Sequence, residues 1–289
     1  MVTVIIPSFN RAHLLRRTVP TYLQQGVSKI IIVDDASTDN TEQVVQSLAK
    51  EIKEIEYIKL AKNSKQTVAK NTGIDHTRTE WIYFGDDDSV LLPGSIPALL
   101  ATCEQYKADI CGAKAMYMTH DEDITSFVKN NTLLLPPRAP LVDINELKTY
   151  FHYDVTDPRP VLFTHASALV KTTIAKEVRF DERFVGNCYR EETDFFVRCS
   201  IKGAVVFYDS KAVQVNLPRG IATGGSHSAR KYKWYYYSFV NNHYFLTKNW
   251  AKIRAINGEA KSRIIVEAIF LKNLLLSGFK NLTRRWLKN

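Results

Sequence analysis

Four short apolar runs in the first hundred residues each end in a polar cluster, and a stretch of helical period separates each run from the next. Val2 to Ile6, closed by Pro7, is rich in β-branched residues and reads as a buried strand. Lys29 to Val33, Ile55 to Leu60 and Trp81 to Phe84 repeat that pattern. After the first run, Leu14, Leu15, Val19, Tyr22 and Leu23 recur at helical spacing. Asp39, with Glu42 three residues later, predicts the N-cap of a helix carrying Val44, Val45 and Leu48, and a further helix is predicted over Thr67 to His76. Strand and helix alternating at this interval imply parallel strands joined by crossover helices. Ligands of such sheets bind beyond the carboxyl ends of the strands. Those ends carry Asn10, then Asp34 and Asp35, then Asn63 to Gln66, then Asp86 to Asp88. Four polar clusters are therefore expected around one crevice.

Beyond residue 93 the pattern is less regular. Pro93 is expected to open a helix running through Leu99 and Tyr106, and Ile110 to Met118 reads as a strand. Leu133 to Val142, with three prolines, reads as a loop able to cover a site. Phe163 to Val170 alternates like a strand, Glu192 to Ile201 is predicted helical, and Ala204 to Tyr208 and Ala212 to Val215 are predicted as two strands.

Asp86, Asp87 and Asp88 place three adjacent carboxylates behind an apolar strand. Such a cluster repels itself unless a cation or a basic partner compensates. A hard divalent ion does so well, because Mg²⁺ and Mn²⁺ take oxygen ligands and keep positions open for phosphate oxygens. The plain alternative is a solvated acidic turn. Placement at a strand's carboxyl end, opposite Asp34 and Asp35, favours the metal reading.

Five segments then occur in a familiar order: Val4-Ile5-Ile6-Pro7-Ser8-Phe9-Asn10-Arg11, Val33-Asp34-Asp35-Ala36-Ser37-Thr38-Asp39, Ala69-Lys70-Asn71-Thr72-Gly73-Ile74, Phe84-Gly85-Asp86-Asp87-Asp88, and Phe180-Asp181-Glu182-Arg183-Phe184 with Arg190-Glu191-Glu192-Thr193-Asp194-Phe195. Over residues 2 to 215 the chain resembles family 2 inverting glycosyltransferases of the GT-A fold, with Lys70 where that family usually has Arg. The resemblance implies an α/β, Rossmann-like fold with a mixed, mostly parallel central sheet. It also implies Asp35 at the base or ribose of a nucleotide, with Pro7 and Asn10 shaping that pocket. Asp88 would be the principal metal ligand, for Mn²⁺ or Mg²⁺, and Asp86 would serve the ribose or the metal. Asp87 would be the least committed of the three, and Lys70 would approach the phosphates as a point charge.

An inverting transfer is a single displacement in which the acceptor hydroxyl sheds its proton to a positioned base. Glu191, Glu192 and Asp194 sit at a predicted helix start, where carboxylates are favoured. Comparison with the family's Glu-Asp pair places Glu192 at the base position and Glu191 just before it. Asp194 either joins them or caps the helix. Where the family often has a metal-reaching His, this chain has Asn216, a weaker oxygen ligand. Either the site uses fewer protein ligands or His227, beyond Gly224-Gly225, substitutes. Two rival readings remain open here: a sugar nucleotidyltransferase, which should carry a Gly-rich basic loop after its first strand, where this chain has Pro7 to Arg11, and an inactive nucleotide-binding module.

Composition decides the partners. After Asp209 the only acidic residues are Glu259 and Glu267, so the formal charge of +9 resides largely in the C-terminal quarter. Phosphorylated small molecules and anionic membrane surfaces suit such a balance. No nucleic-acid motif accompanies it, and nucleic acid is not expected as a partner. Ile264, Ala268, Leu271, Leu275, Phe279, Leu282 and Trp286 follow three- and four-residue steps among Arg and Lys. That pattern suits a helix lying in a membrane interface or one packed on protein. With no signal-peptide pattern and four cysteines in no paired spacing, a cytoplasmic protein is expected, peripheral on the inner membrane face. The expected organisation is a catalytic domain over 1–218, divided into a nucleotide-binding half at 1–110 and an acceptor-side half at 111–218, and a basic helical extension over 219–289. The expected donor is a UDP-sugar first and a GDP-sugar second, and the expected acceptor a glycan or glycolipid hydroxyl.

Overall fold

The computed structural model describes residues 1–224 and 231–286, with side chains for 1–224 and 232–277. The strands are β1 (Val2–Ser8), β2 (Val27–Asp34), β3 (Ile55–Lys59), β4 (Trp81–Phe84), β5 (Ser89–Leu91), β6 (Ile110–Tyr117), β7 (Val142–Asp143), β8 (Lys148–Thr149), β9 (Arg159–Pro160), β10 (Ala168–Lys171) and β11 (Val206–Asn216). The α-helices are α1 (Ala12–Thr18), α2 (Thr41–Glu51), α3 (Lys65–His76), α4 (Ser95–Tyr106), α5 (Ile124–Asn130), α6 (Thr172–Val178), α7 (Glu191–Ile201), α8 (Lys231–Ile256) and α9 (Arg263–Trp286).

The main sheet runs β3-β2-β1-β4-β10-β6-β11-β5, with β9 paired to β11. β1 to β4 are mutually parallel, β10 lies antiparallel between β4 and β6, and β11 returns parallel to β6. This is the mixed, mostly parallel α/β sheet that the sequence implied. The period of two places Val4 and Ile6 in one apolar layer and Ile5 in the other, all fully buried. On the Ile5 side α3 comes close enough that a Cβ on Gly73 would lie 2.4 Å from the Ile5 side chain.

Several boundaries differ from expectation for local reasons. α2 starts at Thr41, because Asp39 Oδ1 accepts from both the amide and the hydroxyl of Thr41 and so sits outside the helix. Pro93 precedes α4, which starts at Ser95 after a left-handed Gly94. The two late strands are one, β11, bent by a register shift between Asp209 and Val213. Of the alternating 163–170 run only Ala168 to Val170 pair as a strand, which continues one residue further to Lys171. The four cysteines are free and buried.

In the C-terminal quarter, α8 packs against α7, burying Phe245, Leu246, Trp250 and Ile253 in the core shared with Phe195 and Phe196. α9 follows by packing on α8 through Val266, yet Ile264, Leu271, Leu275 and Leu276 remain exposed. Among the described residues no helix is long and apolar enough to cross a membrane.

Candidate active site

The loops at the carboxyl ends of β1, β2, β3 and β4 converge. Asn10, held at φ 54, stitches the first two together: its side-chain oxygen accepts from the amides of Thr38 (2.8 Å) and Asp39 (3.3 Å), and its own amide donates to Ser37 Oγ (2.8 Å). Asp35 ties the second to the third, accepting from the amides of Ser64 (2.5 Å) and Lys65 (2.8 Å). Burial raises the Asp35 carboxyl above its ordinary range, against the lowering effect of those two amides.

The acidic triplet is fixed from several sides. Tyr22 donates to the carbonyl of Asp86 and accepts from its amide, while Gln214 donates to Asp86 Oδ2 (3.0 Å). Ser8 donates to Asp87 Oδ2 (2.8 Å). Arg11, itself 3% exposed, pairs with Asp88 Oδ2 at 3.1 Å and donates to the Gly224 carbonyl. Burial, then the charges of Asp88 and Glu192, push Asp86 up to about 7. Burial likewise pushes Asp87 to about 7 despite Arg11. The turn therefore carries more negative charge than Arg11 neutralises.

These groups face one cavity of about 450 Å³, whose walls include Pro7, Arg11, Asp35, Gln66, Asp86, Asp87, Asp88 and Asn216. Of the described residues expected at a nucleotide or metal, Pro7, Asp35, Asp86, Asp87, Asp88 and Asn216 line it, whereas Asn10 and Lys70 do not. The far wall is Gly186, Asn187 and Cys188, with Tyr237 from α8. No sequence pattern marked Gly186, Asn187 or Cys188, and Tyr237 stood out only as one of the aromatic residues interleaved with Lys over 231–245. The close seating of Tyr237 depends on Gly186, at φ +60, where a Cβ would fall 2.2 Å from the Tyr237 ring.

The Glu pair lies at the start of α7. Lys70 Nζ reaches Glu191 Oε1 at 2.8 Å and Glu192 Oε1 at 2.7 Å. Lys70 and Glu191 are each 1% exposed, whereas Glu192 is 31% exposed. Burial alone would depress Lys70, but the two glutamates outweigh it and raise it. Burial, and then the Glu192 charge against that of Lys70, push Glu191 to about 7. Burial also disfavours ionised Glu192, yet the charge of Lys70 prevails and lowers its pKa. Asp194 is placed differently: fully buried, it accepts from Arg198, Lys248 and Asn249 and so anchors α8 to α7.

A hard divalent cation is compatible with this wall. Its donor set is all oxygen and its negative charge is incompletely neutralised. Among the described residues no group of three or more His, Cys, Asp or Glu is arranged to hold a metal. An ion bound here would thus take one or two protein carboxylates and draw its remaining ligands from water and phosphate, the habit of Mg²⁺. Asn216 lies at the wall with both amide ends engaged, its oxygen accepting from Ser89 and its nitrogen donating to Met116. His227 and Gly225 lie outside the described residues.

Residues 3–178 match the sequence profile of glycosyl transferase family 2. Over 115 residues the chain is 36% identical to a GalNAc(5)-diNAcBac-PP-undecaprenol beta-1,3-glucosyltransferase of Campylobacter jejuni, a match spanning 38% of this chain and only 37% of that protein. Among solved structures, S. aureus TarS 1-349 in complex with UDP-GlcNAc superposes with a TM-score of 0.60 at 17% identity, covering 93% of this chain and 71% of the other. A mannosyltransferase from Pyrobaculum calidifontis in complex with GDP-Man and Mn²⁺ superposes with a TM-score of 0.57 at 16% identity, covering 95% and 69%. At these identities the structural matches establish the GT-A fold alone.

Proposed function

The chain belongs to glycosyl transferase family 2, and from that premise we propose that it transfers a sugar from a nucleoside diphosphate sugar to an acceptor hydroxyl with inversion. The reading rests on one observation: Asp35 and Asp86 to Asp88, from separate strand ends, line one cavity. Family membership sets the nucleotidyltransferase reading aside. A module that binds nucleotide without transfer remains an outcome of the test below.

In this mechanism Pro7 and Asp35 receive the nucleotide. Both Asp35 oxygens already accept a backbone amide, and each keeps a second lone pair for the base or ribose. Asn10 acts through the loops it joins. Asp88 and Asp86 would hold a divalent cation, with Asn216 beside them. When bound, that cation supplies charge neutralisation for the departing diphosphate. Ser8 fixes Asp87 and Arg11 fixes Asp88, so the carboxylates are aimed before the donor arrives.

The acceptor oxygen forms its bond to the anomeric carbon as the bond to the diphosphate breaks, and the electron pair leaves with the diphosphate. The hydroxyl proton passes to Glu192, the more open member of its pair and the one kept ionised. Glu191 is closed off from the acceptor and serves Lys70 and Gln66. Lys70 is assigned to the two glutamates in preference to the phosphates. Asp194 is assigned to the α7–α8 junction.

UDP-sugars are the first choice of donor and GDP-sugars the second, supported by the nucleotide sugars named with the two structural neighbours. A glycan or lipid-linked glycan acceptor is supported by the undecaprenol-linked glycan named with the Campylobacter relative. The exposed apolar residues and basic charge of α9 support contact with an anionic membrane surface. The catalytic unit is proposed to span 1–218, with Tyr237 of the 219–289 extension completing its cavity.

The decisive variant is Glu192→Gln. Transfer, followed as nucleotide release with a panel of donors and Mn²⁺, should fall by at least about 100-fold while nucleotide affinity is kept. Turnover near that of the unmodified chain would remove Glu192 from the mechanism. Nucleotide binding with no release from any donor by the unmodified chain would favour the inactive module.

A further inference from the structure

Lys70 is a buried cation whose ammonium pairs with two carboxylates, Glu191 and Glu192. It comes from the middle of α3, and the glutamates come from the first turn of α7, 121 and 122 positions later. The aromatic ring of Phe180 lies 4.9 Å from Nζ, and Phe180, Phe84 and Phe195 pack together beside it. Water therefore cannot screen the cluster from that side. One positive charge faces two negative ones, so the glutamates compete for it. Glu191 Oε1 also accepts from Gln66 at 2.7 Å, while Glu191 Oε2 is buried without a hydrogen-bond partner among the described residues.

Resting on the reading of Glu192 as the base, we propose that Lys70 is a positioning residue: its ammonium group fixes the Glu192 carboxylate and keeps it ionised, while Glu191 draws off part of that charge so that Glu192 stays basic enough to accept a proton. A lone ammonium at 2.7 Å would make Glu192 a poor base. Sharing the ammonium with a second, fully buried carboxylate weakens that hold. Among the described residues, the other titratable groups that interact electrostatically with Glu192 are Asp86 at the β4–β5 turn, His165 before β10 and Tyr117 at the end of β6. His165 has both ring nitrogens engaged, on the Ala113 carbonyl and the Ser167 amide, so it is not a second cation for Glu192.

The test is a ¹³C NMR titration of the glutamate carboxyls in the full chain, with the Glu192 resonance identified by its loss in Glu192→Gln. In Lys70→Met the Glu192 midpoint should rise by about one to three pH units. In Lys70→Arg, which keeps the charge, it should stay within about half a unit of the unmodified chain. Glu191→Gln should move it the other way, downwards, because Lys70 then serves Glu192 alone. A purely structural Lys70 would lower the melting temperature of Lys70→Met and leave the Glu192 midpoint where it was, which overturns the proposal. Should Lys70→Met fail to fold, Glu191→Gln decides, since an unchanged or raised midpoint there is equally fatal. Failure of the base assignment shows separately, as undiminished turnover in Glu192→Gln whatever the titrations do.

Discussion

At the scale of single residues, the same chemistry does opposite jobs depending on what faces it. Asp86 and Asp181 are both acids in short polar turns, yet burial and neighbouring carboxylates push Asp86 up, whereas Asp181 is drawn down. Burial opposes the Asp181 charge, but bonds from Arg183, Lys248 and Tyr244 overcome it. Its carboxyl therefore titrates lower in the folded chain than in the unfolded one, and the unfolded chain binds the extra proton. Stability from this group is complete above an ordinary aspartate pKa of about 4 and drains away as the pH falls below it. Asp181→Asn should cost about 3 kcal/mol at pH 7. Thermal melts between pH 6 and pH 3 should show a shallower loss for the variant than for the unmodified chain. Parallel curves would contradict this account of the α8 anchor. Asp181 and Asp194 were legible only as part of an acidic segment, because the cation that claims both, Lys248, lies 67 and 54 positions further on. Lys70 was legible as a cation near the site but not as the partner of Glu191 and Glu192, since spacing along a chain carries no information about which buried charges meet.

At the scale of elements, β1, β2 and β4 follow from their apolar runs, because an inner strand of a parallel sheet is buried on both faces, while the helix after β2 was signalled by its capping residues as well. Short strands escape that logic. β5, β7, β8 and β9 hold two or three residues each, too few for any period, and are set by the partners they meet. The late helices divide by burial. α8 buries Phe245 and Trp250 toward its C-terminal half, whereas in its first turns Tyr232 and Tyr236 are exposed and Tyr237 lines the cavity. α9 is held through Val266, and Phe270 meets Tyr189, whereas Leu271, Leu275 and Leu276 are open. The side chains of Phe279, Leu282 and Trp286 lie outside the described residues. A chain ending after Phe270 should keep its melting temperature within about 2 °C, because the described side chains it loses, residues 271 to 277, are all exposed except the half-buried Leu274. It also loses Lys272, Lys280, Arg284, Arg285 and Lys288. At about 1 kcal/mol for each basic residue near an anionic surface, its flotation with phosphatidylserine vesicles should weaken at least about tenfold. Equal flotation of both chains would exclude the end of α9 as the membrane contact.

At the scale of the whole molecule, the fold works by bringing the carboxyl ends of four parallel strands to one side of a sheet and closing the opening with later chain. The first half of that arrangement is written in local sequence, which is why Asp35 and Asp86 to Asp88 were expected around a shared crevice. The closing half is not, because Gly186, Cys188 and Tyr237 reach the cavity by tertiary packing, Gly186 and Cys188 from the link between the two parts of the fifth segment and Tyr237 from α8. The central claim is that this cavity binds a nucleoside diphosphate with the help of a divalent cation at Asp88. Calorimetric titration of UDP and of GDP into the full chain, with Mn²⁺ and with chelator, and repeated on Asp88→Asn, tests it directly. Binding of at least one nucleotide, weakened about tenfold or more by chelator and by the substitution, is the predicted result. Absence of binding by either nucleotide in Mn²⁺, or affinity indifferent to both chelator and Asp88→Asn, would contradict it.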